Sequence, residues 1–152
     1  MMFLTETWMK TQGNEAKCAN LSPRGYTFKS FPRATRVGGL AVVMREGLPV
    51  TVSASFPFTH KSFELVQVTP TVPQQIHFFC LYRPPPSKRN QLTDSVFLNE
   101  FPGFLEHCNL LHGKLIILDD FNIHFGCPSN FITSKTSIFN VVQAVKESTH
   151  IR

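Results

Sequence analysis

The segment KLIILDDFNIHF, residues 114–125, places polar side chains that could do chemistry directly after a strand-favouring run. Asp119, Asp120, Asn122 and His124 lie within the six positions that follow this run. Carboxylates at the end of a buried strand are unfavourable unless they have partners or bind a cation, and strand-end loops are where rigid sheets position catalytic groups. The segment therefore indicates either a cation- or substrate-binding loop, or an Asx turn capped by Asp120 or Asn122.

The two adjacent aspartates are not equivalent in an extended chain. Successive side chains of a strand point to opposite faces of the sheet. We therefore expect at most one of Asp119 and Asp120 to line a given cleft.

Composition bounds the class of protein. The chain has 152 residues, of which 42% are hydrophobic and 16% charged, with a net charge of +5. This predicts one domain with a packed core rather than a disordered chain, and the basic balance suits a polyanionic partner. No apolar run is long enough to span a membrane, and the four cysteines lack the spacing of a zinc site.

The predicted elements that must position the loop at 119–124 are mainly strands before the prolines at 84–86, and a helix and a strand after them. Alternating or β-branched segments predict strands, and they lie at residues 2–5, 25–31, 40–47, 50–56, 62–69 and 75–83. Residues 10–24 are polar and predict a loop or a frayed helix. After the prolines at 84–86, the spacing from Thr93 to Leu111 predicts a helix with Thr93 as N-cap and a kink or break at Pro102.

The last part of the chain combines a strand and a helix. KLIIL, residues 114–118, predicts a strand covered on both faces, and residues 137–145 have helical spacing. Strands first, then strand and helix mixed, favour a single domain over residues 1–152 built as a two-sheet α/β sandwich, rather than an all-β barrel or a doubly wound sheet.

Four ordered motifs carry a family resemblance. ILDDFNIHF resembles the ILGDFNIH motif of the endonuclease/exonuclease/phosphatase superfamily, in particular the apurinic-type endonuclease domain of LINE-type (non-LTR) retrotransposons. LTETW, RVGGLAVVMREGL and FFCLYRPPPSKRN are similar to three further family segments in the same order, and THIR at 149–152 is similar to a later one.

The resemblance implies a metal-dependent DNA endonuclease and a role for four residues. Glu6 would bind Mg²⁺, with Mn²⁺ as a substitute, since hard oxygen donors suit such cations. Asp120 would orient the attacking water or protonate the leaving oxygen. Asn122 would hydrogen-bond the phosphate and hold Asp120, and Tyr82 would contact the phosphate. Phosphodiester hydrolysis needs an oriented water and stabilised phosphoryl charge, which agrees with this set.

Simpler interpretations stand beside these roles. Tyr82 alone would be a core-edge tyrosine, Glu6 a surface carboxylate, and His124 and Arg83 solvated loop residues. Asp119 stands where the family has glycine; it could raise the pKa of Asp120 by like-charge repulsion or point away. Candidate phosphate contacts, each otherwise an ordinary surface cation, are Lys29, Arg33, Arg36, Lys88 and Arg89.

Departures from the family predict a fragment truncated at both ends. The family domain continues to a closing Ser-Asp-His segment, and no such segment occurs here; His150 belongs to the THIR-like segment. Catalytic groups act as a unit, so we expect weak activity or none. The full-length element would carry a reverse transcriptase domain and act inside the cell, in the nucleus.

Two other functions are weighed against the endonuclease. The chain could be a non-enzymatic retrotransposon relic or a DNA-binding remnant, which the charge suits equally. A phosphatase would share the metal site, but the YRPPPS loop resembles the retrotransposon members.

Overall fold

The structure, a computed structural model, describes residues 1–33, 38–71, 75–87 and 90–122. Its strands are β1 Met2–Leu4, β2 Tyr26–Phe31, β3 Leu40–Arg45, β4 Val50–Ser53, β5 Glu64–Pro70, β6 Ile76–Tyr82 and β7 Lys114–Asp120. Its helices are α1 Glu15–Leu21 and α2 Asp94–Asn109. Every predicted strand in this part of the chain is present, although β4 is shorter than predicted. The helix predicted at 137–145 lies outside the described residues.

The strands form two sheets, so the chain has the mixed α/β, two-sheet character that was predicted. Sheet 1 has the order β1-β3-β2, and sheet 2 has the order β4-β5-β6-β7. All neighbours are antiparallel except β6 and β7, which are parallel. Since parallel strands need a crossover connection, the segment containing α2 joins them.

Sheet 2 is the middle layer between sheet 1 and α2. On one face, buried side chains of β5 and β6 pack against β3 of sheet 1, and this cluster consists of Leu40, Val42, Met44, Val66, Val68, Cys80 and Tyr82. On the other face they pack against α2, in a cluster rich in phenylalanine that includes Phe63, Phe79, Phe97, Phe101 and Phe104. Burying an aromatic side chain stabilises a fold by roughly 1.5–3 kcal/mol, so these rings hold α2 on the sheet.

Helix α2 begins and continues for reasons that are visible in its sequence. The Thr93 hydroxyl accepts a hydrogen bond from the Val96 amide at 3.2 Å, which confirms the predicted N-cap. Of the two outcomes predicted at Pro102, the division into shorter helices does not occur, because one helix of 16 residues runs through it. Proline removes one backbone donor, but the buried phenylalanines on either side keep the helix on the sheet. Neither helix of the described segments is long and apolar enough to cross a membrane.

Strand β7 differs from its prediction. Within the described residues it is an edge strand that pairs only with β6, and Leu115, Ile116 and Leu118 are 38–40% exposed. The expectation that both of its faces are covered is therefore wrong. From this run, Ile117 packs against the helix-side core.

Candidate functional site

Three polar side chains lie in a row across sheet 2. Glu64 at the start of β5 pairs with Tyr82 at the end of β6, and Tyr82 pairs with Asp120 at the end of β7. Residues paired across neighbouring strands share a face of the sheet. Because Tyr82 belongs to the cluster between the sheets, the row lies on the face toward sheet 1.

Glu6 reaches this row from sheet 1. It follows β1, and its Oε1 accepts a hydrogen bond of 2.5 Å from the Tyr82 hydroxyl, across 76 positions of sequence. Burial, this hydrogen bond and the nearby negative charges raise the pKa of Tyr82 above its ordinary range. The phenol therefore stays protonated and remains a hydrogen-bond donor. Its ring is fully buried, so Tyr82 is both a core residue and a donor at the site.

The backbone around Glu6 is held in an unusual conformation. Glu6 and Trp8 have φ values of 52° and 54°, in the left-handed region that non-glycine residues seldom adopt. The Thr7 amide donates to the Gly39 carbonyl at 3.1 Å, and the Trp8 amide donates to the Gly38 carbonyl at 2.8 Å. These two hydrogen bonds tie the strand-end segment to the turn before β3.

Arg83 positions the segment that carries Asp120 and Asn122. Its amide donates to the Asp120 carbonyl at 2.9 Å, its guanidinium to the Phe121 carbonyl at 3.2 Å, and its carbonyl accepts from the Asn122 amide group at 2.8 Å. Three consecutive residues, Asp120 to Asn122, are therefore hydrogen-bonded to Arg83. Asn122 has φ of 48°, a left-handed conformation that asparagine tolerates.

The interpretation of Arg83 as a solvated loop residue is wrong. Its side chain is 1% exposed, forms an ion pair with Asp94 at the start of α2, and lies 5.0 Å from the centre of the Phe97 ring. A buried cation is costly unless it is paired and hydrogen-bonded. These contacts meet that requirement, and they explain why a charged residue directly follows a buried strand.

Asp119 and Asp120 both border one cleft. A cavity of ≈ 410 Å³ lies between β1 and β7, and its lining includes Phe3, Phe78, Cys80, Ile116, Leu118, Asp119 and Asp120. The expectation that at most one aspartate lines a given cleft is therefore wrong here. The pKa of Asp119 is raised to about 6, first by loss of hydration and second by the charge of Asp120.

The predicted site residues thus come together at one end of the two sheets. Glu6 contacts Tyr82, Tyr82 pairs with Asp120, and Asn122 is bound to the residue after Tyr82. Within the segments described, no group of three or more His, Cys, Asp or Glu is arranged to hold a metal ion. Mg²⁺ usually keeps several waters and takes one or two carboxylates, so Glu6 and Asp120 are oxygen donors of a suitable kind.

The candidate phosphate contacts lie in different surroundings. Arg33 lies 3.5 Å from Glu64 and also donates to the Lys61 carbonyl at 3.0 Å, so it is engaged within the protein. Lys29 is exposed on β2. The remaining predicted contacts, together with His124, lie outside the described residues: Arg36, Lys88 and Arg89.

Sequence reasoning missed Glu64. Its Oε2 accepts from the Gly39 amide at 2.7 Å, and burial, outweighing this bond and Arg33, raises its pKa to about 7. A signal for it was present in the strand, because Glu64 has the same period-two phase as Val66 and Val68, which are fully buried. A carboxylate on the apolar phase of a strand is costly unless it has a partner.

Comparison with known proteins leaves the family open. No family model matches the chain, and no curated protein matches it. The resemblance to the endonuclease/exonuclease/phosphatase superfamily therefore stays a prediction that depends on the four motifs.

Proposed function

We propose that this chain carries part of the site of a metal-dependent phosphodiesterase that acts on DNA, of the retrotransposon endonuclease type. The observation that carries the proposal is the hydrogen bond between Tyr82 and Glu6, next to Asp120 on the neighbouring strand. Side chains so distant in sequence were singled out by the motifs alone. Their meeting at one end of the sheets supports the interpretation of those motifs as one site.

Each residue has a role that its environment supports. Glu6 would hold Mg²⁺, or Mn²⁺ in its place, and the bound cation would neutralise charge on the phosphoryl oxygens. Tyr82 is kept protonated by its raised pKa, so its hydroxyl can donate a hydrogen bond to the phosphate. Asp120 orients the attacking water or protonates the leaving oxygen. Asn122 contacts the phosphate, and its bond to Arg83 fixes the segment that also bears Asp120.

The 152 residues on their own are proposed to cleave weakly or not at all. They contain no Ser-Asp-His segment, and removing one member of a catalytic set lowers rates by orders of magnitude. In the full-length element the domain would act on chromosomal DNA in the nucleus and be joined to a reverse transcriptase domain. The net charge of +5 favours binding to DNA.

The second candidate is a DNA-binding remnant or relic without chemistry. The ion pair of Arg33 with Glu64 favours it, since this candidate phosphate contact is engaged within the protein. It predicts salt-dependent DNA binding that does not respond to Mg²⁺ or to the loss of Asp120.

A plasmid-nicking assay tests the proposal. The chain is compared with Asp120→Ala in Mg²⁺, in Mn²⁺ and in a chelator. Asp119→Ala is the matched control, because it removes the adjacent carboxylate that the family does not use. Weak, metal-dependent nicking that is lost in Asp120→Ala and kept in Asp119→Ala supports the proposal. Binding without nicking under every condition supports the remnant, and robust nicking that depends on Asp120 contradicts the expected weakness.

A further inference from the structure

Glu64 is an internal carboxylate with partners on both sides of the site. Its side chain is 12% exposed. One oxygen accepts from the Gly39 amide at 2.7 Å, and the other lies 3.5 Å from the Arg33 guanidinium. It stands beside Tyr82 in the row across sheet 2. None of the roles proposed above uses it.

Hydrogen bonds connect Glu64 through the Gly38–Gly39 turn to the two residues that follow Glu6. Glu64 binds the amide of Gly39; the carbonyl of Gly39 binds the Thr7 amide, and the carbonyl of Gly38 binds the Trp8 amide. Thr7 directly follows Glu6, whose carboxylate accepts from Tyr82. The two glycines therefore lie between Glu64 and the segment that presents the proposed metal ligand.

The turn of Gly38 and Gly39 is closely packed against both neighbours. The two glycines have φ values of 107° and 95°, which side chains rarely adopt. A Cβ on Gly38 would lie 2.2 Å from Glu64 Oε1, and one on Gly39 would lie 2.6 Å from Thr7 Oγ1. A displacement of the turn would therefore be transmitted to the Glu6 segment.

We propose that Glu64 is a positioning residue of this site, which fixes the Gly38–Gly39 turn and thereby holds the Glu6 carboxylate against Tyr82. The catalytic meaning of this role rests on the proposed function, whereas the positioning itself does not. Glu64 acts through the turn, and its own carboxylate oxygens stay engaged with Gly39 and Arg33.

Two variants separate the hydrogen bond from the charge. Glu64→Gln removes the negative charge but keeps an oxygen that can accept from Gly39. Glu64→Ala removes both. Glu46→Ala is the matched control, since Glu46 is an exposed glutamate in the turn after β3. Amide hydrogen exchange is measured by NMR for Thr7, Trp8 and, as a reference, the core residues of β6.

The expected result is local. Glu64→Ala accelerates exchange at Thr7 and Trp8 by about tenfold, the order of effect of losing one hydrogen bond from a buried donor. Exchange in β6 stays unchanged, and Glu64→Gln and Glu46→Ala remain close to the parent chain. Unchanged rates at Thr7 and Trp8, or an equal increase at every amide, would overturn the proposal. If Glu64→Ala does not fold, Glu64→Asp keeps a carboxylate but withdraws it from the Gly39 amide, and it must accelerate the same two amides.

Tyr82 supplies a second readout that does not depend on catalysis. The chain has two tyrosines, so a Tyr26→Phe background leaves Tyr82 as the only phenol. Both Glu64 variants lose the nearby charge, but only Glu64→Ala is expected to loosen Glu6 from Tyr82. The hydroxyl proton of Tyr82, which donates to Glu6, should therefore exchange with solvent faster in Glu64→Ala than in Glu64→Gln. Equal exchange rates would contradict the proposal, and a chain without nicking activity leaves the measurement valid.

Discussion

Replacing Arg83 by lysine tests whether this buried cation holds the Asp120–Asn122 segment in place. The guanidinium reaches two acceptors in different directions, Asp94 and the Phe121 carbonyl. A lysine ammonium is a single point charge on a flexible stem. It keeps the charge but serves only one of the two acceptors well.

The size of the stability loss follows from the unequal solvent exposure of Asp94 and Phe121, the two partners of Arg83. Asp94 is 69% exposed, so its ion pair is screened by solvent and stabilises the fold by at most about 1 kcal/mol. Phe121 is 6% exposed, and loss of a charged donor to its buried carbonyl costs about 1.5–3 kcal/mol. We expect Arg83→Lys to lower the free energy of unfolding by about 2 kcal/mol. Asp94→Asn should cost about 1 kcal/mol or less, including its place in the first turn of α2.

Urea unfolding measures both changes, provided that the dependence of free energy on urea is the same for all three proteins. Fluorescence of Trp8, the only tryptophan, reports on the site, and circular dichroism reports on the whole fold. A loss in Asp94→Asn as large as that in Arg83→Lys would refute the reasoning. It would mean that the ion pair, rather than the buried carbonyl, accounts for the role of Arg83.

Two further predictions concern stability. The Glu64 pKa is raised from 4.5 to about 7, so the folded state binds this proton more tightly and stability falls as the pH rises through that interval. At about 1.4 kcal/mol per pH unit, the loss of stability is about 3 kcal/mol. The midpoint of thermal unfolding, measured between pH 4 and 8, should fall less steeply with pH in Glu64→Gln than in the parent chain. A parallel pH dependence in both proteins would contradict this. Gly113→Ala should destabilise the chain by at least about 2 kcal/mol, because its Cβ would lie 2.3 Å from the Gln75 carbonyl at a φ of 113°. Gly47→Ala, with φ of 75° and open space around it, should cost only about 1 kcal/mol, and equal losses would argue against the steric reason.

Local patterns in the sequence determined most of the elements. Alternation with period two identified β2, β4 and β5, apolar runs next to turn residues identified β3 and β6, and the Thr93 cap with helical spacing identified α2. These properties depend on residues within a few positions of one another. The motifs also singled out the four site residues, although their catalytic roles remain predictions.

Only the tertiary structure decided which strands are neighbours and which charged groups are internal. β3 pairs with β1 and β2 rather than with β4, and among the described strands β7 pairs with β6 alone, so its apolar run did not mean burial on both faces. Arg83 is buried because Asp94, Phe97 and Phe121 surround it. The contact of Glu6 with Tyr82 spans 76 positions, and sequence periodicity carries no information over that distance because it reports only the local direction of side chains.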